Sequence, residues 1–143
     1  MTARTLSAGP TTILYDDTLV SHADDALFTP SEHAVAAGGR GAAWVIRGGE
    51  EDWVLRHYRR GGLPARFLAD TYIWNGLERT RPWREWRLLA ELHSRGLPVP
   101  RPVAARVQRK GLGYRGDLIT RRIPAAHSLA ELLREGWDLL RDK

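Results

Sequence analysis

Val35-Ala36-Ala37-Gly38-Gly39-Arg40-Gly41-Ala42-Ala43-Trp44-Val45-Ile46-Arg47 reads as two strands, Val35 to Ala37 and Ala42 to Arg47, folded about a glycine-rich turn. Glycine supplies the conformations a tight turn needs. It also leaves the backbone amides unshielded by a Cβ, so phosphate oxygens can approach them. Gly39 and Gly41 are therefore candidate phosphate-binding positions, with Arg40 at the tip. Gly48-Gly49 turns the chain again. Asp52 to Tyr58 is the clearest strand, alternating apolar and polar side chains through Trp53-Val54-Leu55-Arg56-His57-Tyr58. Arg56 is the cation this strand offers to a ligand, and His57 takes the opposite face.

Outward from this meander, Arg59-Arg60-Gly61-Gly62 breaks the sheet. Ala65 to Trp74 has helical composition after Pro64, and Asn75-Gly76 ends it. Thr80 reads as the N-cap of an amphipathic helix running to Ser94, with Pro82 in its first turn and Arg95-Gly96 closing it. Trp83, Trp86, Leu89, Ala90 and His93 share one face of that helix, and Glu85 is its candidate inward acid. Leu97-Pro98-Val99-Pro100-Arg101-Pro102 is a stiff extended connector. Val103 to Val107 and Tyr114 to Thr120 form a second predicted hairpin, turned by Gln108 to Gly113. Nearer the N-terminus, Thr11 to Tyr15 reads as a strand, while Asp25 to Phe28 is ambiguous. Past Pro124, Ser128 caps a last helix, Leu129 to Arg134. The fold class is α+β: an antiparallel sheet with a packed helix.

With 143 residues and 43% apolar side chains, the chain can bury one modest core. The absence of cysteine excludes disulfides and thiolate metal sites. The five histidines show no ligand spacing, so no metal site made by protein groups alone is expected. Neither a signal peptide nor an apolar run long enough for a membrane helix is visible, and a soluble or peripheral protein is expected. The net charge of +5 is uneven. Residues before Val35 are mildly acidic, whereas arginine dominates from Arg56 to Arg122. Such a face implies an anionic partner. The stretch 59–81 mixes Arg59, Arg60, Arg66, Arg79 and Arg81 with Phe67, Tyr72, Ile73 and Trp74, a composition suited to an anionic membrane surface.

The order of glycine turn, strand cation and helix acid resembles the small lobe of a protein kinase, where a glycine loop covers the phosphates and a lysine pairs with a helix glutamate. Three positions depart from that pattern: Trp44 stands at the third glycine, Ile46 at the valine, and Arg56 at the lysine. The runs Trp53 to Gly62, Arg84-Glu85-Trp86-Arg87-Leu88-Leu89 and Gly96 to Pro102 are more specific. They resemble the 3-deoxy-D-manno-octulosonic acid (Kdo) kinase family of Gram-negative bacteria, over nearly the whole chain.

This resemblance implies a protein-kinase-like fold in which residues 1–123 form the small lobe and 124–143 lead through a hinge to the first helix of a second lobe. It implies transfer of the ATP γ-phosphate, with Mg²⁺, to the Kdo sugar of a lipid A precursor, at the cytoplasmic face of the inner membrane. By the same resemblance Gly39 and Gly41 cover the phosphates, Arg56 contacts them, Glu85 orients Arg56, and Thr120 to Ile123 form the hinge beside adenine. No His-x-Asp loop or Asp-Phe-Gly-like metal motif follows the glycine turn. The chain is thus expected to be a lobe inactive alone, with no catalytic residue of its own and with the Mg²⁺ ligands elsewhere. The alternative is a non-catalytic module that binds nucleotide or anionic lipid. Nucleic-acid binding ranks last, since no recognised motif supports it.

Overall fold

A computed structural model describes residues 2–30, 35–36, 43–58 and 72–122 of the chain. Its strands are β1 (Ala3–Ala8), β2 (Thr11–Asp16), β3 (Val35–Ala36), β4 (Ala43–Gly48), β5 (Glu51–His57), β6 (Tyr72–Ile73), β7 (Pro102–Lys110) and β8 (Gly113–Arg121). One α-helix, α1 (Arg81–Ser94), precedes β7. The strands form a single antiparallel sheet in the order β1-β2-β7-β8-β5-β4-β3. Strand β6 pairs β8 beyond the end of β5. This is the α+β, small-lobe-like architecture expected from the sequence.

The meander around the glycine turn is in place. Val35 and Ala36 pair with Val45 and Trp44, and β4 runs on to pair with β5 from Ala43↔Arg56 to Gly48↔Glu51. The turn itself, with Gly39 and Gly41, lies outside the described residues, as do Ile123 and the last predicted helix.

Period-two alternation gives the sheet two apolar faces. On one, Ile13, Trp53, Leu55, Val103 and Ile119 are buried beneath Val20, Ala23 and Phe28, which come from the segment after β2. On the other, Leu14, Tyr58, Val107, Tyr114 and Leu118 pack against Trp83 and Trp86 of α1. The start of α1 presses directly on β8: a Cβ at Gly116 would overlap the Pro82 ring. That close approach aligns the helix over the middle of the sheet.

Both ends of α1 follow from sequence. Thr80 is at the N-cap position, but its hydroxyl donates to the Leu77 carbonyl at 2.6 Å and makes no side-chain cap bond. At the other end Gly96 adopts φ +77, while the Gly96 and Leu97 amides donate to the carbonyls of His93 and Leu92. This pair of bonds is the Schellman ending that a glycine just past a helix favours.

Two local expectations are corrected, and one strand is unforeseen. Tyr72–Ile73 is a strand, not the end of a helix, and residues 65–71 lie outside the described ones. Stacking of Tyr72 on Tyr114, with ring centroids 5.5 Å apart, favours pairing with β8 over helical propensity. The β7–β8 turn is only Gly111-Leu112, so Gln108 to Lys110 belong to β7. Their polarity reflects an exposed sheet end, not a loop. Strand β1 is invisible in the sequence because all six of its residues are exposed and show no burial pattern.

Candidate phosphate-binding site

Val54, Arg56 and Tyr58 alternate onto the helix-covered face of the sheet. Arg56 lies between Ala43 of β4 and Leu118 of β8, in the body of the sheet. Glu85 lies one turn into α1. The fold brings these two together: Arg56 Nη1 donates to Glu85 Oε1 at 3.2 Å. About half of the Arg56 side chain and a third of Glu85 remain exposed. The guanidinium is therefore positioned by the carboxylate yet accessible to a ligand, and its remaining N–H groups can meet phosphate oxygens.

A third residue, which the sequence reading does not single out, completes the arrangement. The Tyr58 hydroxyl donates to the second carboxylate oxygen, Glu85 Oε2. Tyr58 is buried. Burial, and next the hydrogen bond to Glu85, push its phenol far above the ordinary value, so the hydroxyl remains a donor. Glu85 is thus held from both sides, by the strand cation and by the residue two positions on. The signal is present in the i, i+2 spacing of Arg56 and Tyr58, which places them on one face.

At the start of α1, Arg81 extends the basic surface. Its guanidinium lies 5.8 Å from the centre of the Tyr58 ring and 5.6 Å from that of Tyr72. An open cleft of about 730 Å³ runs along this face of the helix, lined by Arg81, Arg84, Glu85, Leu88 and Leu89 among others. Arg87, also on the cleft, grips the Glu78 carboxylate through two bonds of 2.7 and 3.0 Å.

The strand register fixes the faces of β4. Ile46 pairs with Trp53 and packs on the reverse face, together with Trp44. Val45, opposite Val54, shares the Arg56 face. At the far end of β8, Thr120 is buried opposite Val54 and Pro102. Arg121 and Arg122 are tied to Glu51 and Asp52, at 3.0 and 3.7 Å.

His57 faces the reverse side, as expected. Its Nδ1 meets the Asp117 carboxylate, and its ring lies edge-on to Trp44 at 4.9 Å. Asp117 also accepts from Arg106 Nε at 2.8 Å, and Arg106 Nη1 reaches Asp25 at 3.0 Å. Asp117 and Arg106 are almost fully buried, which makes this network structural. Among the described residues no group of three or more metal-binding side chains is clustered, and no helix is long and apolar enough to cross a membrane.

Comparison with known proteins supplies the context for this geometry. The sequence model of the lipopolysaccharide kinase (Kdo/WaaP) family matches residues 26–143. The chain is 47% identical over 124 residues to the 3-deoxy-D-manno-octulosonic acid kinase of Xanthomonas axonopodis pv. citri (strain 306), an overlap covering 83% of this chain and 50% of that protein. For the protein of the same name in Stenotrophomonas maltophilia (strain K279a) the identity is 44%, with the same shares covered. The chain spans about half the length of the curated relatives it matches. No solved structure matches.

Proposed function

The chain belongs to the lipopolysaccharide kinase (Kdo/WaaP) family, and from that premise we propose that it forms the nucleotide-holding lobe of an ATP-dependent kinase acting on the Kdo sugar of a lipid A precursor. The observation that carries this reading is the ion pair between Arg56 and Glu85, residues 29 apart in sequence and placed together on the ligand-accessible face. Arg56 binds the nucleotide phosphates through the guanidinium edge that Glu85 leaves open. Glu85 and Tyr58 fix its orientation. Gly39 and Gly41 cover the phosphates with their backbone amides, and the end of β8 leads into the hinge beside adenine.

In the reaction the γ-phosphorus forms a bond to a sugar hydroxyl oxygen while its bond to the ADP oxygen breaks, and the hydroxyl proton leaves to a base. Phosphoryl transfer depends chiefly on positioning and on stabilisation of charge spread over the phosphate oxygens. The described residues contribute the positioning and one cation. They offer no carboxylate cluster for a metal. Mg²⁺, which would neutralise phosphate charge, would be held by the nucleotide and by the remainder of the enzyme, as would the base. The work site is the cytoplasmic face of the inner membrane, where such a precursor is exposed.

The test is phosphotransfer by the full-length enzyme with labelled ATP and a Kdo-bearing acceptor. Arg56→Ala is expected to lower kcat/KM for ATP by roughly 100-fold or more, the usual loss for one oriented charge donor. Wild-type activity on the acceptor together with an Arg56→Ala variant as active as wild type would overturn the assignment of Arg56. A second reading, a module that binds nucleotide or anionic lipid without catalysis, is supported by the exposed cations of the same lobe.

A further inference from the structure

We propose that the outer tip of the β7–β8 hairpin, together with β6 beside it, is a contact surface for an anionic lipid bilayer. Leu112, in the hairpin turn, is 88% exposed, and Ile73, on β6, is 75% exposed. The two are neighbours: Ile73 lies opposite Gly113, and the Trp74 amide donates to the Leu112 carbonyl at 2.7 Å. Single exposed aliphatic residues are ordinary on a soluble surface; a pair at the apex of a rigid hairpin is a different feature.

Among the described residues, the charges nearest the pair are cations: Arg109 and Lys110 are exposed beside the turn. Three segments meet at this end of the sheet: 72–77, 108–115 and the β1–β2 turn, where the Arg109 amide donates to the Pro10 carbonyl at 2.9 Å. None of residues 8–12, 72–77 or 108–115 is an aspartate or glutamate. Aliphatic tips ringed by cations match a bilayer whose surface is negative and whose interior is apolar. A polyanion without an apolar phase would use the cations and leave Leu112 and Ile73 in water.

Nucleic acid fits this surface less well, because the aromatic ring nearest the tip is already occupied. Arg109 lies 4.7 Å from the Trp74 ring centre, and Tyr114 packs edge-on to the same ring at 6.2 Å. Base stacking would have to displace the guanidinium. The pairing of Tyr72 and Trp74 with Tyr114 instead stiffens the tip, so insertion requires no ordering of a loop. Along β8, Leu112 is six residues from Leu118, the partner of Arg56, or roughly 20 Å at the usual strand rise.

This inference sharpens the membrane part of the proposed function but rests on exposure and charge. It is tested without nucleotide or acceptor, so phosphotransfer and bilayer contact can fail separately. The full 143-residue chain is mixed with vesicles of phosphatidylcholine, with or without about 30% phosphatidylglycerol. Binding is expected only with the anionic lipid. Leu112→Glu is expected to weaken it roughly tenfold, and Arg109→Ser with Lys110→Ser by roughly 25-fold, about fivefold per cation. Because the chain has no cysteine, Leu112→Cys carries a single fluorophore. Its emission should shift to the blue and be quenched by brominated lipid, whereas a probe at Leu97→Cys, near the opposite end of the sheet, should respond to neither. Absence of binding to anionic vesicles overturns the proposal, as does equal quenching at both positions. Binding that depends on Arg109 and Lys110 but is unchanged by Leu112→Glu, in a variant with the wild-type circular dichroism spectrum, identifies a soluble polyanion or acidic protein and overturns it too.

Discussion

The two faces of the sheet carry the same chemical device for opposite purposes. On the helix face Glu85 is shared by a guanidinium and a tyrosine hydroxyl; on the reverse face Asp117 is shared by a guanidinium and an imidazole. Exposure separates them. The Arg56 side chain is 49% exposed and that of Arg106 only 11%. Where water and a ligand can reach the cation, the carboxylate orients a group with work left to do. Where the cation is enclosed, its hydrogen-bonding capacity is used in holding strands and the covering segment together. A charge pair in a β-lobe is thus read by its remaining exposure, not by its composition.

The largest expected effect is on the enclosed side. Asp117→Ala leaves Arg106 facing the apolar interior without its nearer carboxylate, and removing one partner of a buried pair costs about 3–5 kcal/mol. Urea denaturation should show this as a fall in midpoint. A midpoint within error of wild type would mean that water reaches Arg106, and the contrast between the faces would collapse. The lowered pKa that burial imposes on Arg106, opposed by its bond to Asp25, fits an enclosed cation.

A smaller effect is expected from pH at the sheet's outer hairpin. Asp16 is fully buried. Burial disfavours its charge, but bonds from the Thr18 side chain and amide, Arg101 and the Thr2 amide outweigh that cost and hold its carboxyl below the ordinary range. With the folded value depressed, the stabilisation is present above the unfolded value near pH 4 and is lost as pH falls through the folded one. Stability of the wild type should therefore decline below about pH 4, and Asp16→Asn should start lower and show a flatter acid limb. An unchanged acid limb in the variant would assign the decline to other carboxylates, such as Glu51, which bonds from Trp53 and Arg121 also hold low against the opposing effect of burial.

Much of this is legible in the sequence, for identifiable reasons. Strand β5 and helix α1 are readable because burial imposes a period on their side chains, and Gly96 marks the helix end because only that backbone conformation closes it. Arg56 and Glu85 are paired by the order of their motifs. Tyr58 escapes, although it differs from Arg56 by only two positions, because that spacing reports a shared face and not its partner, which is on another element. Strand β1 and the outer ends of β7 and β8 escape because exposed strands have no apolar alternation.

On the open face, Tyr58→Phe removes one donor from Glu85 and leaves the ring packed. Its expected cost is about 1 kcal/mol in stability, the usual net value of one hydrogen bond. Carbon-13 NMR of the Glu85 carboxylate reports the same loss locally, as a changed chemical shift. If neither measurement moves, Tyr58 does not hold Glu85, and the carboxylate is oriented by Arg56 alone.

The smallest effect, at Arg56, gives the sharpest comparison: arginine to lysine at both cations. Arg106 bonds to Asp117 through Nε and to Asp25 through Nη1, so it uses the fork of the guanidinium to join two elements. A lysine ammonium is a compact charge and cannot reproduce that spacing. Arg106→Lys should therefore cost about 1–3 kcal/mol, as expected when a buried acceptor loses a charged partner. Arg56 meets Glu85 through one nitrogen at 3.2 Å in a half-exposed pair, and Arg56→Lys should change stability by no more than about 0.5 kcal/mol. Any larger change in nucleotide affinity for Arg56→Lys would then come from the part of the fork that Glu85 leaves unused, the part proposed to meet phosphate. Equal stability losses at the two positions would show that the fold draws on Arg56 as heavily as on Arg106, leaving no spare edge of its guanidinium for a ligand.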